Sequence, residues 1–522
     1  MRSLRSILLV ALAVRLVAVF FAPGFLMHDD HFLTVEPASS WAAGKNFNNW
    51  LPGVDNDRTH PEPISFFYPG VLAGMFTVLR ACGVDDPCTQ MLWVRLFHAL
   101  WSLLTIYFAV RIVRLVAGER SAMTTGWLLA LIGVLPNFAV RNLVEVVCQP
   151  LLLGGFYVLL RGGAMRSFVL AGKVFHDNAD RRDVPWKHLI VAGVIMGLAV
   201  GVRYQAGIIV ALTGAVILLQ GAALRMVVFG FASLFAFFLT QLDDVLLWGG
   251  QPFQHLTGYY EYNKEHAGNY PSALLAYLSL IGYFILPPVS AMLLWGFVRS
   301  WRSHLMLFLP AAVFLLFHVL YPNRQERFIL PALPLFVMLG VIGWHQWVES
   351  SSFWKEHGGL HRWLWRSFWV LNALVLAVFS TTYSKQCRVE AMYYLYKQGD
   401  CVNFIHEFTH AEGRPQLPRH YAGLWVGYYL MNEDADVEYI VSVMPRNALQ
   451  KAHRLEHQPV PNYILFVDDT GLSDRVSRMQ RHFPGLTYRT TIEPGWFDLL
   501  LHQLNPLNKV ERIHIYSMTA KS

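Results

Sequence analysis

The chain has 522 residues, 54% of them hydrophobic and 15% charged, with 42 Lys and Arg against 35 Asp and Glu. Its mean hydropathy of +0.36 is more apolar than one soluble core requires, which excludes an ordinary soluble enzyme and a disordered chain. The class that remains is a polytopic α-helical membrane protein.

The first apolar run, "SILLVALAVRLVAVFFA", follows "MRSLR". Arg15 interrupts it and no small-residue cleavage site follows, so it reads as a retained helix whose basic start lies in the cytoplasm. Further spans are predicted at 90–115, 121–139, 142–160, 188–202, 205–221, 224–242, 273–298, 303–320, 328–345 and 366–382. With 6–22 they make about eleven helices of the length a bilayer needs. This register leaves Arg111, Arg114 and Arg120, the stretch from Arg161 to Lys187, Arg225, Arg299 and Arg302, and Lys355 to Arg366 on the cytoplasmic side. The odd number puts 383–522 outside. The apolar stretch Ser65 to Gly83 would invert that order if it crossed, and is expected as a helix pair in the outer leaflet; the alternative is an ordinary span with an inverted first helix.

The transmembrane module is thus 1–382, and 383–522 is a soluble domain. There helical patterns alternate with short apolar strands such as "VEYIVSV" and "YILFVDD", an α/β texture. Asp468 and Asp469 end the second strand and read as a solvated strand terminus. Cys387 and Cys401 share this exported domain and are expected to pair; Cys82 and Cys88 are a second candidate pair, and Cys148 lies in an apolar span. No P-loop, no GxGxxG before a helix and no zinc spacing occurs, which argues against ATP or a dinucleotide as cofactor. Nothing marks a nucleic-acid partner.

Polar residues gather on the outward side, where charge near membrane depth is costly and usually functional. "HDDH", His28 to His31, places two adjacent carboxylates after the first helix. Adjacent side chains point apart, so at most one serves as a general base. A divalent-cation site or a polar helix cap are the other readings. "YPNRQERFILPALPLF" puts Arg324 and Arg327 three residues apart, two planar forks suited to a phosphate, or else interfacial anchors. "GVRYQAG" puts Arg203 at a break between two short apolar halves, as a contact to an anionic headgroup or as half of a buried ion pair.

Taken together, these stretches resemble the polyprenyl- or dolichyl-phosphate-mannose-dependent mannosyltransferases of the GT-C fold, which build glycosylphosphatidylinositol anchors and lipid-linked oligosaccharides. "MHDDHFLTVEPAS" is similar to that family's "HPDE.FQ..EPAH" through Asp29, Asp30, Phe32, Glu36, Pro37 and Ala38. "THPEPISFFYP", containing His60, resembles its "THP..S..YP". "YEYNKEHAGNY" around Asn263 resembles its "YN...G", and "HVLYPNRQERFILPALPL" resembles its "HKEERFILP..PL". The chain departs from the pattern at Asp30, where the family has glutamate, at Leu33, where it has glutamine, and at Asn323, Arg324 and Gln325.

The resemblance implies an inverting transfer of a sugar, mannose above all, from a polyprenyl-phosphate donor to a hydroxyl of a lipid- or glycan-linked acceptor. Asp29 is the implied base, with Asp30 beside it. Arg324, Arg327 and Arg203 are the implied phosphate ligands, and His28, His31, Glu36, His60 and Asn263 the implied substrate contacts. No cofactor and no obligatory metal is implied. A lipid-linked saccharide transporter or a receptor with an exported sensor are the other classes, but no internal repeat supports the first. The expected location is a bacterial inner membrane with the site facing the periplasm, or the lumenal face of the ER membrane in a eukaryote.

Overall fold

The computed structural model describes residues 3–44, 64–163, 168–170, 173–175, 184–246, 250–265, 282, 284–321, 325–408, 416–424, 429–432, 461–506, 508 and 510–518. The chain divides into two compact units. The first comprises Met1–Ala22, Arg58–Gly70 and Val94–Thr381; the second comprises Pro23–Asp57, Val71–Trp93 and Thr382–Ser522.

Six described helices are long and apolar enough to cross a bilayer: Leu4–Phe21, Pro87–Leu131, Val144–Arg161, Ala223–Leu246, Glu326–Ser350 and Gly358–Ser380. Five shorter apolar helices accompany them, at Phe67–Ala81, Trp186–Val202, Ala206–Leu219, Val289–Arg299 and Leu305–Leu320. Pro87–Leu131 divides at Gly118, whose φ is 79°, between the two runs the hydropathy predicts. Arg15 is accommodated within the first unit because its guanidinium is satisfied: Nε donates to Ser102 Oγ at 2.8 Å and Nη1 to the Ala130 carbonyl at 3.3 Å. Helix Trp186–Val202 packs closely on Ala223–Thr240. A Cβ on Gly197 would stand 2.2 Å from the Ser233 carbonyl oxygen, so only glycine permits this approach.

The stretch Ser65 to Gly83 forms one helix, Phe67–Ala81, rather than the expected pair. Pro69 falls in its first turn, where its missing N–H has no intrahelical acceptor to lose, so it does not break the helix.

The second unit holds a five-stranded sheet of β1 (Phe404–Phe408), β2 (Tyr429–Asn432), β3 (Tyr463–Val467), β4 (Thr487–Ile492) and β5 (Ile513–Ser517). The order is β2-β1-β3-β5-β4. β1 runs parallel to β2 and β3, while β5 is antiparallel to β3 and β4. Every residue of β3 is buried, as its unbroken apolar run requires. Ile405, Ile464 and Phe466 of the sheet meet Met479 of helix Leu472–His482 in the core. Arg475 of that helix is buried, and its Nε donates to both carboxylate oxygens of Glu407 at 2.9 Å. Asp469 is tied to the antiparallel neighbour by Arg512 Nη1 at 2.9 Å and His514 Nε2 at 2.8 Å. It is thus a braced strand end. "VEYIVSV" lies outside the described residues.

Neither Cys387 and Cys401 nor Cys82 and Cys88 are joined by a disulfide in the structure, which corrects the expected pairing. Cys387 sits at the start of helix Gln386–Gln398 and Cys401 beyond its end. The helix between them rises about 1.5 Å per residue, which sets its far end roughly 16 Å from Cys387 along the axis and disfavours the close approach a disulfide needs.

Candidate active site

In the second unit, "HDDH" forms the short helix His28–Phe32, followed by Val35–Ala42. The loop leading into it is fixed at Gly24, which has φ 82° and forms a β-bridge with Ser384. A Cβ there would lie 2.0 Å from the Ser384 carbonyl oxygen, so both the conformation and the close approach demand glycine.

The two adjacent carboxylates have different surroundings. Asp30 is buried, and its Oδ2 accepts the Leu26 backbone N–H at 3.0 Å, closing the loop over the helix. Thr34 Oγ1 donates to the Asp30 carbonyl at 2.6 Å. Asp29 is only half-buried, and His28 is exposed and stacks on Phe32 with centroids 4.6 Å apart.

Behind them, His31 and Glu36 are each about 1% exposed and meet at 2.9 Å through Nε2 and Oε1. The His31 ring lies parallel to Tyr421 at 5.6 Å. Glu36 Oε1 also accepts the His420 backbone N–H at 3.0 Å, and Ser39 Oγ bonds His420 Nδ1 at 2.9 Å. Burial chiefly, with the neighbouring His31 and Arg80 adding to it, pushes the His420 imidazole down to about 3. His31 and Glu36 are therefore an internal brace of this loop.

In the first unit, Arg203 caps helix Trp186–Val202 at the break before Ala206–Leu219, as the sequence predicts. Its Nη1 stands 3.1 Å from Oε1 of Glu145, and Arg327 Nε stands 3.4 Å from the same oxygen. Glu145 is carried by the four-residue helix Val144–Val147, and Arg327 by the 3-10 segment Glu326–Ala332. Pro331 lies inside that segment, and Pro334 lies in the first turn of the helix Leu333–Ser350, a position that suits proline.

The guanidinium carbons of Arg203 and Arg327 lie 4.8 and 5.6 Å from the centroid of Phe328. Gln325 Oε1 accepts from Arg327 Nη2 at 2.6 Å. Arg203 Nε and Nη2 are buried with no hydrogen-bond partner among the described residues. Two guanidiniums thus meet one carboxylate oxygen, and the two Arg203 nitrogens without a partner among the described residues are suited to an anionic oxygen. Both readings of Arg203, buried ion pair and anion contact, are compatible with this geometry.

Nearby in the same unit, Gln205 donates to the Tyr259 hydroxyl. Burial chiefly raises that phenol's pKa, with Arg203 and Arg327 opposing and Glu145 reinforcing the rise. Asn263 Nδ2 donates to the Tyr259 carbonyl at 2.8 Å, and the Asn263 carbonyl accepts from Tyr321 Oη at 2.9 Å. Further along, Asp244 Oδ1 meets His255 Nδ1 at 2.5 Å, both buried. His60 and Arg324 lie outside the described residues. No group of three or more His, Cys, Asp or Glu side chains suited to a metal occurs among those described.

Sequence reading missed Glu145, His420 and Tyr259. Glu145 carried a signal, as the only acid in the apolar run 142–160. His420 and Tyr259 carried none.

The sequence pattern of the Alg9-like mannosyltransferase family matches residues 6–410. No curated protein matches the chain. Among solved structures, ArnT from Cupriavidus metallidurans bound to undecaprenyl phosphate is similar, with TM-score 0.57 and 14% identity over 99% of this chain and 98% of that one. The Archaeoglobus fulgidus oligosaccharyltransferase in complex with Zn and sulfate has TM-score 0.53 and 12% identity, over 91% of this chain and 69% of that one. The archaeal oligosaccharyltransferase AglB of the same organism, in complex with an inhibitory peptide and a dolichol-phosphate, has TM-score 0.51 and 11% identity, over 91% and 71%. The expected fold, a polytopic helical membrane protein of GT-C type with a C-terminal α/β domain, is the one observed.

Proposed function

Because the chain belongs to the Alg9-like mannosyltransferase family, we propose that it is an integral-membrane glycosyltransferase moving mannose from a polyprenyl-phosphate donor to a hydroxyl of a lipid- or glycan-linked acceptor. The observation that carries the donor class is the buried meeting of Arg203 and Arg327 at Glu145, where Arg203 Nε and Nη2 have no hydrogen-bond partner among the described residues and suit a phosphate held at membrane depth. The undecaprenyl phosphate bound to ArnT and the dolichol-phosphate bound to AglB support the same carrier chemistry.

In the proposed reaction the acceptor oxygen attacks the anomeric carbon as its proton passes to Asp29. The bond from that carbon to the phosphate oxygen breaks, the electron pair leaves with the lipid phosphate, and the configuration inverts. Arg203 and Arg327, together with Arg324, stabilise the charge that grows on the leaving phosphate. Asp30 sets the loop through the Leu26 N–H, and His31 with Glu36 holds it from behind. His28, His60 and Asn263 are left to contact substrate. Lipid phosphate is itself a competent leaving group, so the mechanism needs no metal. The positive-inside pattern supports a reaction on the non-cytoplasmic face, the periplasm of a bacterium or the ER lumen of a eukaryote.

The test is incubation of the purified full-length protein with labelled polyprenyl-phosphate-mannose and a panel of lipid and glycan acceptors, with mass analysis of products. A mannosylated product of inverted anomeric configuration is expected. Donor that binds but is never consumed with any acceptor would instead mark a carrier or a receptor.

A further inference from the structure

His318 belongs to helix Leu305–Leu320, beside the arginines, and no step described so far uses it. Its ring is 2% exposed. Nδ1 lies 2.8 Å from the Phe314 carbonyl oxygen, which can only accept, so Nδ1 carries a proton. In the neutral ring this leaves Nε2 as an acceptor with a bare lone pair. Nε2 is buried and has no hydrogen-bond partner among the described residues.

The imidazole stands edge to face with Phe328, centroids 6.1 Å apart. Phe328 is the ring over which Arg203 and Arg327 lie, and His318 is within electrostatic reach of Arg203. One aromatic side chain thus carries two cationic donors and one acceptor around it. A buried acceptor left without a partner costs about 1–3 kcal/mol. A phosphate offers no donor to satisfy it, whereas the sugar attached to that phosphate carries several hydroxyls.

Resting on the reading of this cluster as the donor phosphate site, we propose that His318 Nε2 accepts a hydrogen bond from a hydroxyl of the transferred sugar, and so is a specificity-determining residue that orients the sugar. No covalent step passes through it.

The experiment uses full-length protein in nanodiscs with polyprenyl-phosphate-mannose and its 2-, 3-, 4- and 6-deoxy analogues. For the unsubstituted protein, one deoxy donor loses about tenfold in kcat/KM, the worth of a single neutral hydrogen bond. His318→Phe loses about the same on mannose and no longer distinguishes that deoxy donor, while keeping its preference at the other positions. His318→Gln, whose amide oxygen reaches the place of Nε2, restores part of the discrimination, and it carries the comparison if the Phe variant fails to fold. Thermal stabilisation by undecaprenyl phosphate alone is expected to be equal in all three proteins, because the phosphate contacts remain.

The inference is overturned if His318→Phe and His318→Gln retain every deoxy penalty of the unsubstituted protein, or lose activity equally on all five donors. Lack of transfer by the unsubstituted protein from any of these donors overturns the donor-site reading itself, and the inference with it.

Discussion

Oε1 of Glu145 lies 3.1 Å from Nη1 of Arg203, joining the carboxylate of a four-residue helix to the arginine that closes Trp186–Val202. Arg327 shares the same oxygen at 3.4 Å. Removing the negative charge by Glu145→Gln leaves two buried guanidiniums facing one another without it. Breaking a buried pair in this way generally costs about 3–5 kcal/mol, so a clearly lower unfolding temperature is expected. An added phosphate supplies the missing charge. Undecaprenyl phosphate should therefore raise the unfolding temperature more for Glu145→Gln than for the unsubstituted protein. Equal shifts in the two proteins would separate these arginines from the phosphate.

Arg327 is expected to serve the donor. Arg327→Ala should raise KM for polyprenyl-phosphate-mannose by at least about tenfold, while Arg327→Lys recovers only part, because an ammonium lacks the planar fork. Initial rates across a donor concentration series decide it. An unchanged donor KM with loss of thermal stability would reassign Arg327 to anchoring its own segment.

Asp29 and Asp30 are expected to respond differently to the same substitution. Asp29→Asn keeps the shape but cannot accept a proton, and should lower kcat by about 10²- to 10⁴-fold with donor binding intact. Asp30→Asn keeps an oxygen for the Leu26 N–H and should cost less. Single-turnover rates of the two variants with saturating donor give the comparison; a silent Asp29→Asn beside an inactive Asp30→Asn would move the base by one residue.

His420 predicts a pH dependence of stability. Its imidazole titrates near 3 in the folded protein and near 6.5 in an unfolded chain. Between those values the unfolded chain binds the extra proton, so stability is full above about pH 6.5 and falls as the pH drops toward 3. The slope is at most about 1.4 kcal/mol per pH unit from this group. Thermal unfolding at pH 7.5 and pH 5 should show a smaller loss for His420→Gln than for the unsubstituted protein. Parallel losses would assign the acid sensitivity to other groups.

The fold was legible wherever it is written in local periodicity. The break at Arg203 and the helices either side of it could be read from two short apolar halves, because a charge at membrane depth has few structural excuses. The recruitment of Pro23–Asp57 and Val71–Trp93 into the unit of the C-terminal sheet could not be read, since it is set by contacts between distant residues. The same holds for the candidate site. Asp29, Asp30, Arg203 and Arg327 stand in recognisable strings, whereas His420 reaches Glu36 across 384 residues of chain and nothing beside it in sequence announces the contact. The helix pair expected at Ser65 to Gly83 rests on the charge of distant loops, which says nothing of local helix continuity, and the stretch forms one helix; the Cys387–Cys401 bridge failed where a helix intervenes.

The bridge between Gly24 and Ser384 also sets a timetable for biosynthesis. The loop that leads into Asp29 emerges with the first helix, but the strand-like partner that fixes it is made about 360 residues later, and at about 5–20 residues per second the interval is roughly 20–70 s. Throughout that time the nascent chain carries its proposed base without the contact that shapes the loop around it. A ribosome stalled before Ser384 would hold a chain whose Asp29 loop lacks this contact, so transfer should begin only after the helix Gly358–Ser380 has been followed by the residues that pair with Gly24.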